Sequence, residues 1–565
     1  MASITWLEAD RLKNRLDAVY YHPSFLSNED RLLQSNVDIL PLKVFVKEGR
    51  RAIYFSTQTL EAEEADNTWV PFLTADDFGA DGFFIDLNSR RRVSPEFADK
   101  YPKGELRENE ILVKVKGPNQ VTAYNSNEPS KRVLVSGTIW GALVRIEKID
   151  PQYLVTALSC PYAAIARSRL RTNTNVEFLA PDDLLNLELP IPDAKVQAYI
   201  GNKVRLAERL RERSQKVWLE LRDKMQKCFR GKPKPPQNKF SKVPSNKLTG
   251  NRLESEFYTP LVLWADEEIK GTPWKYQPLS QLTHRIKDGP GGWGVSTGDY
   301  VNYGIPVVRA VNLIDGECDL SDCVFISPKK HKELIRHRAA KGSVLLSVRG
   351  TIGRAAVFES EDFEEASLNA AVVTIDCKDE ILPHYLAEFL NTEIGKIQSN
   401  RIANGAVQLN MNLTETGSNL IVVAPKDFQE EISTLRQQRL LFKALSYKLI
   451  IAAKLLVEAL IEGKLSEADL KAAQEGLEQG DSTLDRAILA RLTRKGIDYS
   501  NEPPLFPDLD ALYTALANLD ANQDLDTADS GNGQAAKVYP LTRSSIPLAS
   551  EATLDAYAST EEVPG

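Results

Sequence analysis

Hydrophobic and polar positions recur in two long stretches of the chain. The first landmark is NRLDAVYYHP at residues 14–23, and NRLESEFYTP follows at 251–260. Both read Asn-Arg-Leu-acidic, two spacers, aromatic-Tyr, one spacer and Pro. An apolar strand pattern that ends in a basic residue and glycine also occurs twice, as LRENEILVKVKG at 106–117 and AAKGSVLLSVRG at 339–350.

A third pair of landmarks closes each copy. LELPIP at 187–192 precedes Gln197, and LIVVAP at 420–425 precedes Gln429. Before them, each copy has a helix-like segment that opens DPQYL at 150–154 or LPHYL at 382–386. Landmarks in one order and at nearly one spacing indicate an internal duplication.

Each copy then continues into a segment typical of a long amphipathic helix. The apolar stripe positions are Ile200, Val204, Ala207, Trp218, Leu221 and Met225 in the first segment and Leu435, Phe442, Leu449 and Leu456 in the second. Arg211 and Ser214 weaken the first stripe, whereas the second recurs every seven residues. A seven-residue repeat keeps one seam facing a partner helix, which favours pairing of the two helices. The alternative is that each helix packs separately against its own domain.

These patterns divide the chain into seven parts. They are a first domain at 1–193, a long helix at 194–230, a basic proline-rich linker at 231–251, a second domain at 252–425, a second long helix at 426–463, a helical C-terminal extension at 464–520 and an acidic, disordered tail at 521–565. Proline density in the linker excludes a helix interior and predicts an extended segment. Its lysines are either solvated or lie against a phosphate backbone.

Charge leaves nucleic-acid binding open. The formal net charge is −8, but the acidic excess lies after residue 500, so the rest of the chain is near neutral. A near-neutral body can still carry a basic groove. The most apolar stretch, 440–461, is interrupted by three lysines and a glutamate, which argues against a membrane span. No secretory signal opens the chain, and the five cysteines are scattered, so we expect a cytoplasmic protein with reduced thiols and no zinc site.

Catalytic signatures are missing from the sequence. There is no Walker A loop, no HExxH and no Asn-Pro-Pro-aromatic motif. The glycine-rich stretch at 289–294 does not follow a hydrophobic strand, which argues against a nucleotide-binding loop. We therefore expect no catalytic residue, metal or cofactor in this chain.

Several loops have the composition of recognition loops instead. Arginine suits bidentate contacts to guanine and to phosphates, and amides suit adenine edges. The candidate DNA-binding residues are Arg285, Lys287, Trp293, Arg349, Thr351, Arg354, Gln408 and Asn410 in the second copy and Lys116, Gln120, Asn173 and Asn175 in the first. Each residue alone could equally be a solvated loop group, and the recurrence of the set in both copies favours recognition.

The second copy resembles a target-recognition domain of a type I restriction-modification specificity subunit. The matching segments are GIPVVRAVNLIDG (304–316), LLSVRGTIGR (345–354), HYLAEFLNTEIGK (384–396), GAVQLNMNL (405–413) and the helix start at 425–429. Together they cover roughly residues 277–460. The first copy keeps VKVKG at 113–117 but continues Pro-Asn-Gln where the second has Thr-Ile-Gly.

The resemblance implies an α/β fold. Two pseudo-repeated target-recognition domains would be separated by two long antiparallel coiled-coil helices, and a small helical, partly disordered C-terminal extension would follow. Each domain would read one half of a bipartite double-stranded DNA target, with the helices setting the gap. Such subunits recruit adenine-N6 methyltransferase subunits, here expected to number two, and ATP-dependent restriction subunits. S-adenosylmethionine, ATP and Mg²⁺ would then act in the partner subunits and not in this chain.

Two other functions remain open at this stage. A self-contained restriction or methylation enzyme with an unrecognised catalytic part would bind S-adenosylmethionine by itself. A scaffold of duplicated domains would show no salt-dependent DNA binding. The C-terminal extension exceeds the simplest specificity subunits, and its amphipathic, acidic character suggests a docking element for another component.

Overall fold

The chain folds into two compact units that contain both helices and strands. The computed structural model describes residues 12, 17–51, 60–61, 68–78, 83, 85, 91–117, 122–125, 132–172, 177–235, 242–243, 245, 248, 255–290, 294–314, 316–403 and 410–528, so most of the basic linker after residue 235 and the end of the acidic tail lie outside the described residues. Unit 1 contains the described residues of Met1–Arg213 and Phe442–Leu541, and unit 2 contains those of Ser214–Leu441. The α/β class is confirmed.

Ten strands of unit 1 precede the first long helix in the described residues. They are β1 (Ile39–Pro41), β2 (Val46–Arg51), β3 (Leu60–Glu61), β4 (Val70–Leu73), β5 (Arg91–Val93), β6 (Glu110–Lys114), β7 (Thr122–Asn125), β8 (Leu134–Val135), β9 (Ile139–Val144) and β10 (Glu188–Pro190). One four-stranded sheet has the order β2-β9-β6-β7 and another the order β3-β5-β4-β8. Strand alternation buries Leu73, Leu112, Val135 and Ile139 in one cluster.

The helices of unit 1 up to and including the first long helix mostly begin with proline. They are α1 (Pro23–Leu33), α2 (Pro95–Lys100), α3 (Pro151–Ser159), α4 (Pro161–Arg169), α5 (Pro181–Leu185) and α6 (Ala194–Gln226), whose residues from Ser214 onward belong to unit 2. Proline suits the first helical position, because its missing N–H would have no partner within the helix. The side chain of Asp150 accepts a hydrogen bond from the N–H of Tyr153 and so caps α3.

Unit 2 has the larger sheets. Its strands are β11 (Lys275–Pro278), β12 (Thr283–Asp288), β13 (Tyr300–Val301), β14 (Ile305–Val308), β15 (Leu313–Ile314), β16 (Glu317–Cys318), β17 (Val324–Ile326), β18 (Arg338–Ala340), β19 (Val344–Ser347), β20 (Ala355–Val357), β21 (Glu365–Leu368), β22 (Val372–Cys377) and β23 (Leu420–Val423). The strand orders are β12-β22-β19-β20-β16-β15 and β13-β17-β14-β21-β18. Val308, Leu345, Phe358 and Val372 belong to the buried core of this unit.

Six α-helices begin in the described residues of unit 2, and the last of them is the second long helix. They are α7 (Pro260–Lys270), α8 (Pro328–Glu333), α9 (Pro383–Asn391), α10 (Glu393–Arg401), α11 (Leu413–Ser418) and α12 (Lys426–Ile461), whose residues from Phe442 onward belong to unit 1. Among the helices that the structure describes, none is long and apolar enough to cross a bilayer.

A short two-stranded sheet joins the ends of each domain. In unit 1, β1 pairs antiparallel with β10, with Ile39 opposite Pro190. In unit 2, β11 pairs antiparallel with β23, with Lys275 opposite Val423. A tyrosine hydroxyl donates a hydrogen bond to the second strand of each pair. The hydroxyl of Tyr153 donates to the carbonyl of Pro190 at 2.7 Å, and the hydroxyl of Tyr385 donates to the carbonyl of Val422 at 2.8 Å. The first and last strands of each domain therefore lie side by side.

A glutamine fixes the start of each long helix. In unit 1, Oε1 of Gln197 accepts from the N–H of Asp150 at 3.1 Å, and its Nε2 donates to the carbonyl of Pro192 at 2.8 Å. In unit 2, Gln429 makes the equivalent two hydrogen bonds. Its Oε1 accepts from the N–H of Leu382, just before α9, and its Nε2 donates to the carbonyl of Ala424, both at 2.8 Å. Both glutamines are buried, so these bonds hold each helix rigidly against the domain that precedes it.

An arginine at the end of α4 and another at the end of α10 have matching surroundings. The guanidinium of Arg169 lies 4.1 Å from the ring centroid of Tyr20 and pairs with Glu29 at 3.0 Å. The guanidinium of Arg401 lies 3.8 Å from the ring centroid of Phe257 and pairs with an aspartate of α7 at 2.8 Å. Each arginine thus joins the helix that carries it to the N-terminal aromatic landmark of its own copy.

Serine hydroxyls join the two long helices. In unit 2, Oγ of Ser214 donates to the carbonyl of Arg439 at 3.1 Å, and Lys224 pairs with Glu431 at 2.6 Å. In unit 1, Oγ of Ser446 donates to the carbonyl of Ala207 at 2.7 Å. Ser214, which interrupts the apolar stripe in the sequence, is therefore a buried interhelical hydrogen-bond donor.

The C-terminal extension packs onto α6 within unit 1. Its elements are α13 (Glu467–Glu478), α14 (Thr483–Ala490), β24 (Leu492–Thr493), β25 (Gly496–Ile497) and α15 (Leu509–Ala528). The carboxylate of Asp485 is buried and accepts from Lys203 at 2.5 Å, from Tyr199 at 2.6 Å and from Tyr513 at 2.5 Å. This network, together with an ion pair of Lys195 and a glutamate of α13, makes the extension part of the unit 1 core.

Candidate nucleic-acid interface

The turn after β19 is held by one serine and two glycines. The hydroxyl of Ser347 donates to the carbonyl of Thr351 at 2.5 Å and accepts from the N–H of Arg354 at 3.0 Å. Gly350 and Gly353 have φ angles of 72° and 82°, in the left-handed region that other residues adopt at a cost. The turn leaves Thr351 exposed and Arg354 half-buried.

Arg349 meets Asn410 at this turn, although the two come from separate candidate loops. The residues form an isolated antiparallel bridge, and Nε of Arg349 donates to Oδ1 of Asn410 at 3.0 Å. The N–H of Met411 also donates to the carbonyl of Val348 at 2.9 Å. Arg349 remains exposed, and its two terminal nitrogens form the fork that suits a guanine edge or a phosphate.

Unit 1 contains an equivalent bridge. Lys116 forms an isolated antiparallel bridge with Phe178, and the N–H of Leu179 donates to the carbonyl of Val115 at 3.0 Å. The backbone arrangement matches the one at Arg349, but a lysine replaces the arginine and a phenylalanine replaces the asparagine. Gln120, Asn173 and Asn175 lie outside the described residues.

Lys114 is a further cation at this end of unit 1 that the sequence analysis does not single out. It lies two residues before Lys116, so the strand pleat directs both side chains to one face. Burial lowers the pKa of Lys114, an effect that nearby Asp76 opposes and Arg171 reinforces. The alternation in VKVKG was the available signal. In unit 2 the equivalent position is Ser347, so unit 1 lacks the hydroxyl that braces the turn after β19.

Arg285 and Lys287 lie on β12, an edge strand of the six-stranded sheet. Arg285 is exposed and pairs with Asp376 on the neighbouring strand at 3.3 Å, whereas Lys287 is half-buried. Trp293 and Gln408 lie outside the described residues. The structure thus places these two cations on a strand, where the sequence suggested a flexible stretch.

The helix-stripe residues are largely buried. Ile200, Val204, Ala207, Leu221, Met225, Leu435, Phe442, Leu449 and Leu456 are at most 9% exposed. Trp218 is half-buried, and the guanidinium groups of Arg222 and Arg439 lie 4.7 Å and 5.5 Å from its ring centroid. In the part of the chain that the structure describes, no group of three or more His, Cys, Asp or Glu side chains could hold a metal ion.

Comparisons with known proteins give low similarity. No protein-family model and no curated protein matches the chain. Among solved structures, it is similar to the type I restriction-modification system S subunit from M. genitalium, at 13% identity and a TM-score of 0.38, over 76% of this chain and 96% of that chain. It is also similar to the HsdS subunit from Thermoanaerobacter tengcongensis, at 14% identity and a TM-score of 0.25, over 76% of this chain and 97% of that chain.

Proposed function

We propose that this chain is the DNA sequence-specificity subunit of a type I-like restriction-modification or methylation-associated defence complex. Each sequence copy contributes one recognition domain, and each domain reads one half of a bipartite double-stranded DNA target. The long helices act as an antiparallel coiled-coil spacer between the two recognition domains. The chain itself carries out no chemistry.

The observation that carries this proposal is the matched strand-turn bridge in the two units. Lys116 in unit 1 and Arg349 in unit 2 follow the strands of the duplicated landmark, and each is bridged to a residue near the end of its domain. The glutamine, tyrosine and arginine contacts also recur in both units. A duplicated scaffold that presents a cation at the same point, with different side chains beside it, suits two readers with different targets.

The side chains at the bridge in unit 2 suit direct reading of base pairs. An arginine fork can donate to O6 and N7 of guanine in the major groove, and an asparagine amide can pair with an adenine edge. Nε of Arg349 is occupied by Asn410, which orients the guanidinium and leaves its terminal nitrogens for DNA. In unit 1, Lys116 supplies a point charge that suits guanine or phosphate.

The partners of this subunit supply the chemistry. We propose that the chain recruits two adenine-N6 methyltransferase subunits, which bind S-adenosylmethionine, and ATP-dependent restriction subunits, which bind ATP and Mg²⁺. We propose that these partners dock on the long helices α6 and α12, which the buried serine contacts hold together.

Genome-wide mapping of methylated adenines tests the proposal. The chain is co-expressed with candidate methyltransferase subunits, and a bipartite motif is expected. Arg349→Gln should alter one half of the motif only, and Lys116→Gln should alter the other half only. A variant that alters both halves would contradict the two-reader arrangement.

Two binding measurements separate the alternatives. The purified chain alone should not bind S-adenosylmethionine, and binding would indicate a self-contained enzyme. Its affinity for target DNA should fall steeply with salt, because bound phosphates release counterions. Absence of salt-dependent binding would favour a scaffold.

A further inference from the structure

A strongly basic segment of unit 2 lies outside the candidate loops. It comprises α8, the turn Ile335–His337 and the first residue of β18, and we refer to residues 328–338 as the basic segment. Seven of its eleven residues are lysine, arginine or histidine, and one is acidic. Such a density of like charge on a folded surface repels itself and is typical of an anion-binding surface.

Two histidines hold the basic segment against the sheet. The buried ring of His331 lies 2.7 Å through Nδ1 from the hydroxyl of Ser367 and 3.2 Å through Nε2 from a carboxylate oxygen of Glu365, both on β21. Nδ1 of His337 lies 2.8 Å from the carbonyl of Asp288 at the end of β12. The segment is thus fixed beside the strand that carries the candidate residues Arg285 and Lys287.

Some cations of the segment are neutralised by neighbouring acids. Lys330 pairs with Asp299 at 3.3 Å, and Arg338 pairs with Glu365. These ion pairs stabilise the fold of the segment, so two of its five lysines and arginines have a structural role.

The other three cations have no such partner. Lys329, Lys332 and Arg336 are exposed, and within the described residues their side chains make no hydrogen bond or ion pair. Lys329 and Lys332 lie three residues apart on α8, which places their side chains along one side of that helix, and Arg336 lies in the turn that follows it. Their charges are left for a ligand.

Unit 1 has the same element without the charge. Helix α2 and α8 both begin with proline after a capping serine, Ser94 or Ser327. In α2, however, Glu96 and Asp99 accompany the lysine, and Asp99 pairs with an arginine outside the helix at 2.5 Å. The fold therefore does not require cations at this place, and the cluster is a property of the second copy.

We propose that Lys329, Lys332 and Arg336 bind the phosphate backbone of double-stranded DNA beside the reading surface of unit 2. This inference rests on the proposed function and deepens it. The second copy then binds DNA with an additional sequence-independent contribution that the first copy lacks at the equivalent helix. Contacts to phosphates position a protein on the duplex without selecting its sequence.

The test compares two triple variants of the full chain, assembled with its methyltransferase partners. One is Lys329→Gln/Lys332→Gln/Arg336→Gln. The matched control, Lys227→Gln/Lys270→Gln/Lys275→Gln, removes the same charge from exposed lysines of unit 2 away from the basic segment. Dissociation constants for a duplex carrying the mapped target are measured between about 50 and 200 mM salt.

The basic-segment variant should reduce the slope of log affinity against log salt by about 2.7, since each of the three lost phosphate contacts contributes about 0.9. Over that salt range the wild type should then lose about 40-fold more affinity than the variant. The control should keep the wild-type slope, and the methylated motif should be unchanged in both variants. An unchanged slope in the first variant, equal reductions in both variants, or an altered motif would overturn the inference. Loss of salt-dependent binding in the wild type would instead contradict the proposed function.

Discussion

Nε of Arg349 donates a hydrogen bond to Oδ1 of Asn410 at 3.0 Å, across 61 positions of sequence. The contact brings together a turn that follows β19 and a segment that precedes α11. Because both residues border the exposed end of one domain, a change in either alters the surface that we propose to meet the bases. Arg349 offers DNA both a positive charge and a planar guanidinium fork, and substitutions can test these two contributions separately.

Arg349→Lys should retain the charge and lose the fork. We expect relaxed selection at one position of the target, a loss of about 1–3 kcal/mol in discrimination, and an unchanged salt slope. Arg349→Gln should relax the same position and also reduce the salt slope by about one. Competition binding with duplexes that vary at each target position measures both effects. A lysine variant that keeps full discrimination would show that the fork is not used.

The glycines of the turn after β19 should differ in their tolerance of alanine. Both have left-handed backbones, so each Gly→Ala change should cost about 1–2 kcal/mol of strain. A Cβ on Gly350 would meet no atom within 4 Å, whereas a Cβ on Gly353 would lie 3.2 Å from Cβ of Ser399. Gly353→Ala should therefore lower the free energy of unfolding more than Gly350→Ala. Urea denaturation of the two variants checks the order, and equal costs would contradict it.

The interhelical serines should contribute measurably to stability. Removal of the buried hydroxyl in Ser214→Ala or Ser446→Ala should lower the free energy of unfolding by about 1 kcal/mol each. Ser433→Ala is the matched control, because its half-buried hydroxyl bonds only to the carbonyl of Gln429 in its own helix. Denaturation midpoints should move for the first two variants and stay near wild type for the third.

The buried carboxylate of Asp485 should make unit 1 sensitive to acid. Burial by itself would raise the pKa of Asp485, but Lys203, Tyr199 and Tyr513 together hold it below its ordinary value of 3.8. The resulting stabilisation is therefore fully present above about pH 5 and is lost as the pH falls below the ordinary pKa and through the lowered one. Melting temperatures of the wild type should accordingly drop below pH 4.

Asp485→Asn should remove this acid dependence and lower stability at neutral pH, because it leaves the buried Lys203 without its counterion. Asp510→Asn serves as the control, since the pair of Asp510 and Arg486 is exposed and contributes little. An acid transition that persists unchanged in Asp485→Asn would contradict the assignment.

The sequence was most informative where the physical signal is periodic. The duplication and the two long helices follow from apolar spacing, and α6 and α12 lie where that spacing predicts helices. The apolar spacing marks Ser214 only as an interruption of the hydrophobic stripe, because spacing does not show which carbonyl its hydroxyl will reach. Ser446 lies at the same distance from Gln429 as Ser214 does from Gln197, and this recurrence of a serine in both helices is the sequence signal for a shared role.

Long-range polar contacts could not be predicted from the sequence. Lys203 and Asp485 are separated by 282 positions, so the place of the C-terminal extension followed only from the folded structure. Leu505, Phe506 and Leu512 are buried in unit 1, and a truncation after residue 500 would therefore remove core residues as well as any docking surface. The basic segment gives a different kind of signal in the sequence: its density of cations is compositional, and it lies on a helix and a turn outside the glycine-rich loops.

The side-by-side position of the first and last strands of each domain has a consequence for how new specificities could arise. Because Ile39 lies opposite Pro190, and Lys275 opposite Val423, the segments 39–190 and 275–423 each begin and end on adjacent paired strands. A genetic exchange of residues 39–190 or 275–423 would replace most of one proposed recognition domain while preserving both long helices and the C-terminal extension. Under the proposed function, such an exchange would change one half of the DNA target and leave the rest of the assembly intact, which is a modular route to new specificities.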